Sequence, residues 1–384
     1  MQLAARAAAA IGILDKVLAG EPAEKVLTSW GRGARYAGSG DRAAVRDIVY
    51  DGLRCLRSFA ALGGAPIGTL TGRSVVLGAA RAAGVEALWF DGSPHGPAVA
   101  TEPAAQPEGL DALDCPAWLT PQLQQALGED FAPVMQALQS RAPVFLRVNA
   151  GKTTVEAAMA ALAAEGITTR PHPLAQFALE VTGNARKIQN SATYAEGLVE
   201  LQDAASQALA EAVPLRAGAK VLDLCAGGGG KSLALAARAK LKLYAHDANP
   251  RRMADLPARA ARAGVKITLT TAPESQAPFD VVLADVPCSG SGSWRRDPEG
   301  KWSLSAERLA GLVALQSEIL DRAARLCAPN GVVGYATCSL LRAENEDQVA
   351  AFLARTPGWS LRESYRFTPL QDGDGFGLAL LARD

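Results

Sequence analysis

Residues 219–232 read AKVLDLCAGGGGKS, an apolar run that ends in four consecutive glycines, a lysine and a serine. A buried strand that runs into glycines and then into a helix opens a doubly wound α/β sheet. Glycines at that junction let a ligand approach the backbone at a helix N-terminus. Two nucleotide-binding patterns fail here. A P-loop needs a glycine where Cys225 stands. The pattern G-x-G-x-x-G puts its third glycine on Ser232 when read from Gly227, and on Leu233 when read from Gly228. Asp247 ends the next strand 20 residues after Gly227, where an acid accepts hydrogen bonds from ribose hydroxyls. A nucleoside ligand without a pyrophosphate fits, and S-adenosyl-L-methionine is the candidate. A tight turn beside a surface acid is the other reading.

The alternation continues downstream. Strands are expected over 241–247, 266–271, 279–287 and 331–339, and helices over 231–239, 250–263 and 304–327. The last helix carries Leu309, Leu312, Val313, Ile319, Leu320 and Ala323 on one face, and Pro329–Asn330–Gly331 stops it. Ligands of such sheets bind at the carboxyl ends of the strands. Upstream, 143–150 reads as a strand, 153–166 as a helix and 178–183 as a strand, which makes a small α+β unit after a helical stretch at 116–140. Residues 64–115 are rich in Gly, Ala and Pro, and 91–107 reads as a long loop. Residues 1–63 read as all-helical. Asp41 is a plausible N-cap before Val45, Ile48, Val49, Leu53, Leu56 and Phe59, and Gly63 and Gly64 end the run. Three parts follow: 1–135, 136–198 and 199–384.

With 49% apolar and 20% charged residues, the 384-residue chain buries a real core. It holds no run of ~18 apolar residues, so no membrane span is expected. MQLAARAAAA continues into IGILDKVLAG and reads as an amphipathic helix, not a signal peptide. A cytoplasmic setting with reduced thiols is expected. Lys plus Arg and Asp plus Glu both total 39, which excludes a uniform positive coat but not a local basic patch. Residues 1–63 carry nine basic and six acidic side chains, an excess that a solvated helix face explains as well as an RNA patch does.

None of the six cysteines forms a CxxC pair, so a zinc knuckle is not expected. Cys55, Cys115 and Cys327 read as inert. Cys288, in DVPCSGSG, and Cys338, in YATCS, both end strands, at the rim where a cofactor would sit. One reaction needs these parts together. C5 of cytosine is too weak a nucleophile to attack a sulfonium methyl. A thiolate that adds to C6 makes C5 enamine-like; methyl transfer, loss of the C5 proton and departure of the thiol follow. Asp285 is placed to stabilise the adduct near N3, and Lys231 to lower a thiol pKa or hold a carboxylate.

These residues resemble the RsmB/Sun (Nol/Nop/Sun-type) RNA cytosine-C5 methyltransferases over nearly the whole chain. The family's D-x-C-A-A-P-G-G-K-[ST] appears as DLCAGGGGKS, and its DxSPxR followed by RxG as DANPRR and Arg262-Ala263-Gly264. Its D-[AV]-P-C-S-G-x-G-x-x-R-R-x-P appears as DVPCSGSGSWRRDP, and its T-C-S followed by E-N-E as 337–339 and 344–346. LQDAASQ (201–207) resembles the family's QD-x-x-S segment. The resemblance implies a Rossmann-like, S-adenosylmethionine-dependent methyltransferase domain, doubly wound with a mostly parallel sheet. An N-terminal all-α NusB-like domain and a small α+β RNA-binding subdomain would accompany it. It implies that Cys338 is the nucleophile and that Cys288 assists release. Asp285 would contact the base, and Lys231 would line the site. Cys225, Ala226, Gly227, Gly228, Gly229, Gly230, Asp247 and Arg252 would serve the cofactor along with Lys231 and Asp285. Glu344-Asn345-Glu346 would fix the loop after Cys338.

DRAAVRDIVYDGLR in the helical start looks like the NusB-like extension of the small-subunit rRNA branch, which points to 16S rRNA. Arg295 and Arg296 are expected to touch phosphates or base edges; FLRVN resembles a family segment of the small α+β unit, which implies that Arg147 and Asn149 touch RNA. Trp294 and Trp302 are expected to pack rather than stack on bases. Two departures bear on the cofactor. Gly228 replaces the family's Pro, and 270–274 (TTAPE) lacks the family's Asp near the adenine, leaving backbone or Glu274. Other readings are the same chemistry on tRNA, or an RNA-binding ribosome-assembly factor with weak catalysis. A DNA cytosine methyltransferase fits less well, because Ser-Gly follows the Pro-Cys turn and a second cysteine is present. No membrane, metal or obligate protein partner is called for.

Overall fold

Two sheets organise the larger part of the chain. The computed structural model describes residues 1–65 and 69–384; residues 66–68, in the Gly/Ala/Pro-rich stretch, lie outside the described residues. The chain divides into two compact units. One comprises Met1–Gln124, Gly128–Arg141 and Trp294–Ser303, and the other holds 125–127, Ala142–Ser293 and Leu304–Asp384.

The second unit opens with a four-stranded sheet of β1 (Val144–Val148), β2 (Thr168–Pro171), β3 (Ala178–Gly183) and β4 (Val199–Leu201), in the order β2-β3-β1-β4. The large sheet follows with β5 (Lys220–Asp223), β6 (Lys242–Ala245), β7 (Thr268–Leu269), β8 (Phe279–Asp285), β9 (Cys327–Thr337), β10 (Trp359–Phe367) and β11 (Phe376–Arg383). Its order is β10-β11-β9-β8-β5-β6-β7. Strands β7, β6, β5, β8 and β9 are parallel, and β11 and β10 add an antiparallel edge. The strand order reverses between β5 and β8, so the loops after those two strands border the switch-point crevice.

Register then determines which residues meet there. Asp285 pairs with Ala336, and Val286 N donates to Ala336 O at 2.9 Å. Cys288 follows that pair by three residues and Cys338 by two, so both turns leave the sheet side by side. Strand β9 starts earlier than expected. Phe279 pairs with Cys327 but Val281 with Val332, so Pro329–Asn330–Gly331 lies in an irregularity of the strand instead of ahead of it. A bulge tolerates proline, and a Cβ on Gly331 would meet Phe279 O at 3.0 Å and Asp280 O at 2.8 Å.

The first unit is helical. The run expected from Asp41 to Gly63 breaks at Cys55 into helices Ser39–Arg54 and Leu56–Leu62. Asp41 lies inside the first of these and accepts Gly38 N at 3.0 Å. At the break, Lys301 Nζ donates to Arg54 O (3.0 Å) and Trp302 Nε1 to Leu53 O (2.7 Å), which satisfies helix-end carbonyls. Asp114 accepts Arg57 N and Ser58 N at the start of the next helix. Helix Gly72–Ala82 lies within the stretch that composition alone marks as Gly/Ala/Pro-rich. Gly78 lets it close on its neighbour, where a Cβ would stand 1.8 Å from Phe59 O. Among the described residues no helix is long and apolar enough to cross a membrane.

Candidate active site

The turn after β5 presents bare backbone. Gly227 and Gly229 have φ of +51° and +79°, which favours glycine. A Cβ on Gly229 would come within 2.2 Å of Leu256 Cδ1. Cys225 is half-buried, and burial, with the nearby charges of Asp223, Asp285 and Asp247, pushes its thiol up to about 12. It is therefore a wall of the turn and not a nucleophile. Ala226 N donates to His246 O at 2.9 Å, which ties the turn to the end of β6.

Asp247 is buried beyond β6. Its carboxylate accepts Gly227 N (3.0 Å) and Asn249 N (2.9 Å), and Arg252 pairs with it at 3.3 Å. Asp223 ends β5 fully buried. Ser232 Oγ donates to its Oδ2 at 2.6 Å, while Oδ1 has no partner. Burial raises this carboxyl to about 6. A turn without side chains from Gly227 to Gly230, a buried acid opposite it and an orphaned carboxylate oxygen fit a nucleoside-type cofactor. Arg259 donates to Gly228 O, so a guanidinium braces the position where the family places proline. Glu274, in the segment without the expected Asp, is held by Arg322 at 2.8 Å.

The two cysteine turns converge. Cys288 Sγ and Cys338 Sγ stand 3.3 Å apart, both half-buried. Beside them Lys231 Nζ donates to Asp285 Oδ2 at 2.7 Å. The thiol–thiol contact, helped by the Lys231 ammonium, holds Cys338 below the usual thiol range against burial and the Asp285 charge. The same contact, together with burial, raises Cys288. The contact thus favours thiolate at Cys338 over thiolate at Cys288. The remaining cysteines do not compete: burial pushes Cys55 up to about 12 and Cys327 to about 11, and raises Cys115.

Neighbours fix the turns. Asn345 accepts from Thr337 Oγ1 (2.6 Å) and donates to Ser339 O (3.0 Å) and Leu341 O (2.8 Å). Gln316, in the long helix Ala306–Leu326, donates to Pro287 O at 2.9 Å. The sequence reading did not single out Gln316. Its signal was a polar residue within the apolar stripe that runs through Leu309, Val313 and Leu320.

The four residues expected at RNA divide differently. Arg147 is 6% exposed, donates to Gln202 Oε1 and reaches Gly230 O at 3.1 Å. Asn149 is buried and donates to Gly197 O and Ala263 O. Both side chains therefore bond inward, Arg147 to the last glycine of the turn after β5 and Asn149 to two backbone carbonyls. Arg295 is 3% exposed within the helical unit, where Arg54 Nε donates to its carbonyl at 2.7 Å. A phosphate contact needs an accessible guanidinium, and Arg296 is the exposed member of that pair. Trp294 is buried and Trp302 is hydrogen-bonded to Leu53 O, so both pack as expected.

A parallel sheet with a glycine turn after its first strand, an acid closing the second and reactive groups at the strand ends defines an S-adenosylmethionine-dependent methyltransferase fold. Residues 210–379 match the family model described as 16S rRNA methyltransferase RsmB/F, and residues 115–188 match its ferredoxin-like domain. Ribosomal RNA small subunit methyltransferase B of Xanthomonas campestris pv. campestris is 33% identical over 305 residues, 73% of this chain and 70% of the relative. The protein of the same description from Salmonella newport is 34% identical over 286 residues, 70% of this chain. The match spans 66% of the length of that relative. The chain belongs to the RsmB/F methyltransferase family. In fold it resembles PH0851 (TM-score 0.76, 24% identity, 100% of this chain and 99% of that one). It also resembles NSun6 from Pyrococcus horikoshii, solved with SFG (TM-score 0.61, 17% identity, 70% and 98%).

Proposed function

We propose that the chain methylates C5 of a cytosine in RNA, with 16S rRNA the target, through a covalent bond between Cys338 and C6 of the base. The 3.3 Å approach of Cys338 and Cys288 beside the Lys231–Asp285 pair carries this reading. Residues 225–230 and Asp247 would hold S-adenosylmethionine, with Arg252 steadying Asp247. That cofactor, when bound, supplies an electrophilic methyl group.

Cys338 acts first. Its thiolate adds to C6, and the electron pair of the C5–C6 double bond moves to C5. Asp285, oriented by Lys231, contacts the base, and the Lys231 ammonium beside it offsets the negative charge that the adduct develops. C5 then takes the methyl group, which leaves the bound cofactor as the neutral thioether, S-adenosylhomocysteine. Transfer of the C5 proton to water restores the C5–C6 double bond and expels Cys338 as thiolate. Cys288, the protonated neighbour, assists this release by hydrogen-bonding the departing sulfur. A cytosine in a duplex must be extruded to reach this point. Arg296 is a phosphate contact in this reading. Named small subunit methyltransferase B relatives support rRNA over tRNA.

The test is methyl transfer from labelled S-adenosylmethionine to unmodified 16S rRNA and to tRNA, followed by bisulfite mapping. Label at a cytosine of 16S rRNA supports the proposal. Transfer confined to tRNA replaces the substrate, and no transfer with tight rRNA binding favours an assembly factor.

A further inference from the structure

The resemblance gives Glu344 a local duty in the loop after Cys338, but its carboxylate reaches further. It is fully buried and accepts hydrogen bonds from both cysteine turns. Ser289, the residue after Cys288, donates its backbone N–H at 2.8 Å and its hydroxyl as well. Ser339, the residue after Cys338, donates its hydroxyl to the same carboxylate. Gln316 Nε2 completes the set at 2.9 Å. Neutral groups supply all four donors, and no Lys or Arg among the described residues pairs with Glu344. A buried carboxylate without a cation is costly to hold, so its retention between two reactive turns calls for a reason.

The charges around the thiols are unequal. Lys231, on the helix after the glycine turn, and Asp285, at the end of β8, act on Cys338, and Asp223 at the end of β5 acts on Lys231. The Ser293 hydroxyl also faces Cys338. Glu344 acts on Cys288, along with the backbone at Gly290. The cation therefore lies on the Cys338 side and an unpaired anion on the Cys288 side.

We propose that Glu344 is a positioning residue for the reaction above: it joins the two cysteine turns so that the thiols meet. The inference rests on the proposed roles of the two cysteines, and the alkylation readout that decides it needs neither RNA nor cofactor.

The experiment is iodoacetamide alkylation of the full chain from pH 6 to 10, with each cysteine followed by peptide mass spectrometry. In the parent protein Cys338 is alkylated faster than Cys288 below pH 8. Glu344→Gln keeps the size but removes the charge, so Cys288 alkylation at pH 7.5 rises at least threefold and Cys338 alkylation falls. Glu344→Asp keeps the charge and the parent order, but its shorter reach lowers kcat for methyl transfer with little change in KM. Parent profiles in which Cys288 reacts first overturn the proposal, whether or not the variants fold. So does a folded Glu344→Gln protein whose two profiles superimpose on those of the parent. An absence of RNA methylation with the expected alkylation order defeats the methyltransferase reading alone.

Discussion

Lys231 Nζ stands 2.7 Å from Asp285 Oδ2 and joins the residue after the fourth glycine to the end of strand β8. Burial opposes its charge, yet Asp285, Cys338 and Asp223 outweigh burial and raise the lysine. The ammonium in turn lowers Cys338. Lys231→Met keeps the bulk and removes the charge, so Cys338 holds less thiolate at neutral pH. The acid limb of the pH–rate profile should move to higher pH, and kcat should fall on the order of 100-fold. Initial rates of methyl transfer from pH 6 to 9 check this; an unmoved acid limb would show that the lysine does not act on the thiol.

The division of labour between the cysteines predicts opposite phenotypes. Cys338→Ala removes the bond to C6 and should abolish both methylation and any covalent RNA complex. Cys288→Ala leaves the addition possible but impairs release, so a covalent protein–RNA complex should accumulate with S-adenosylmethionine present. Because the contact with Cys288 lowers Cys338, the complex should form more slowly below pH 8 in that variant. Denaturing gel electrophoresis of labelled RNA reads both. Full activity in Cys338→Ala sinks the assignment of the nucleophile.

Much of the site was legible because its chemistry sits on short, contiguous turns. The glycine run, Asp247, Asp285 and the two cysteine turns are each local in sequence, and parallel strands bring their carboxyl ends together. What lay beyond reach was the partner across the fold. Nothing within FLRVN shows that Arg147 points back at Gly230, 83 residues away, and its expected place at RNA came only from the segment's likeness to the family. Arg295 misleads in the same way: adjacent arginines suggest a phosphate patch, but its segment belongs to the helical unit. Helix Gly72–Ala82 was hidden for a different reason. It is short, begins at Gly72 and carries Gly78 inside it, so its composition reads as loop. The break at Cys55 was hidden too, because its caps come from Lys301 and Asp114, both distant in sequence.

The reassignment of Arg147 has a measurable consequence. Arg147→Met leaves Gln202 Oε1 and Gly230 O without their donor, at about 1–3 kcal/mol for a buried group left unpaired. Relief of the arginine's own burial, which holds it down to about 10, offsets part of this loss. A net loss of about 2 kcal/mol is expected in denaturant unfolding, with several-fold weaker S-adenosylmethionine binding by calorimetry. The slope of RNA affinity against salt should stay at the parent value, because a buried guanidinium displaces no counterion from a phosphate. A slope smaller by about one would restore Arg147 to the RNA surface.

Lys301 gives the helical unit a pH dependence of its own. The side chain is 1% exposed, and its ammonium caps the end of helix Ser39–Arg54. Burial holds it down to about 8, against the ordinary 10.5, although Asp114 and the thiols of Cys55 and Cys115 pull it upward. Between those two values the unfolded chain carries a proton that the folded chain lacks, so stability rises with pH. Cys55 works the other way. Burial pushes it to about 12, so above its ordinary 9 the folded chain keeps a proton that the unfolded chain releases. The helical unit should therefore gain about 1 kcal/mol from pH 8 to 9 and then level off or decline. Lys301→Met removes the rise and keeps the decline. Hydrogen exchange of helix Ser39–Arg54, converted to opening free energies from pH 7.5 to 10, separates the cases. A variant that still rises from pH 8 to 9 would assign the effect to another group.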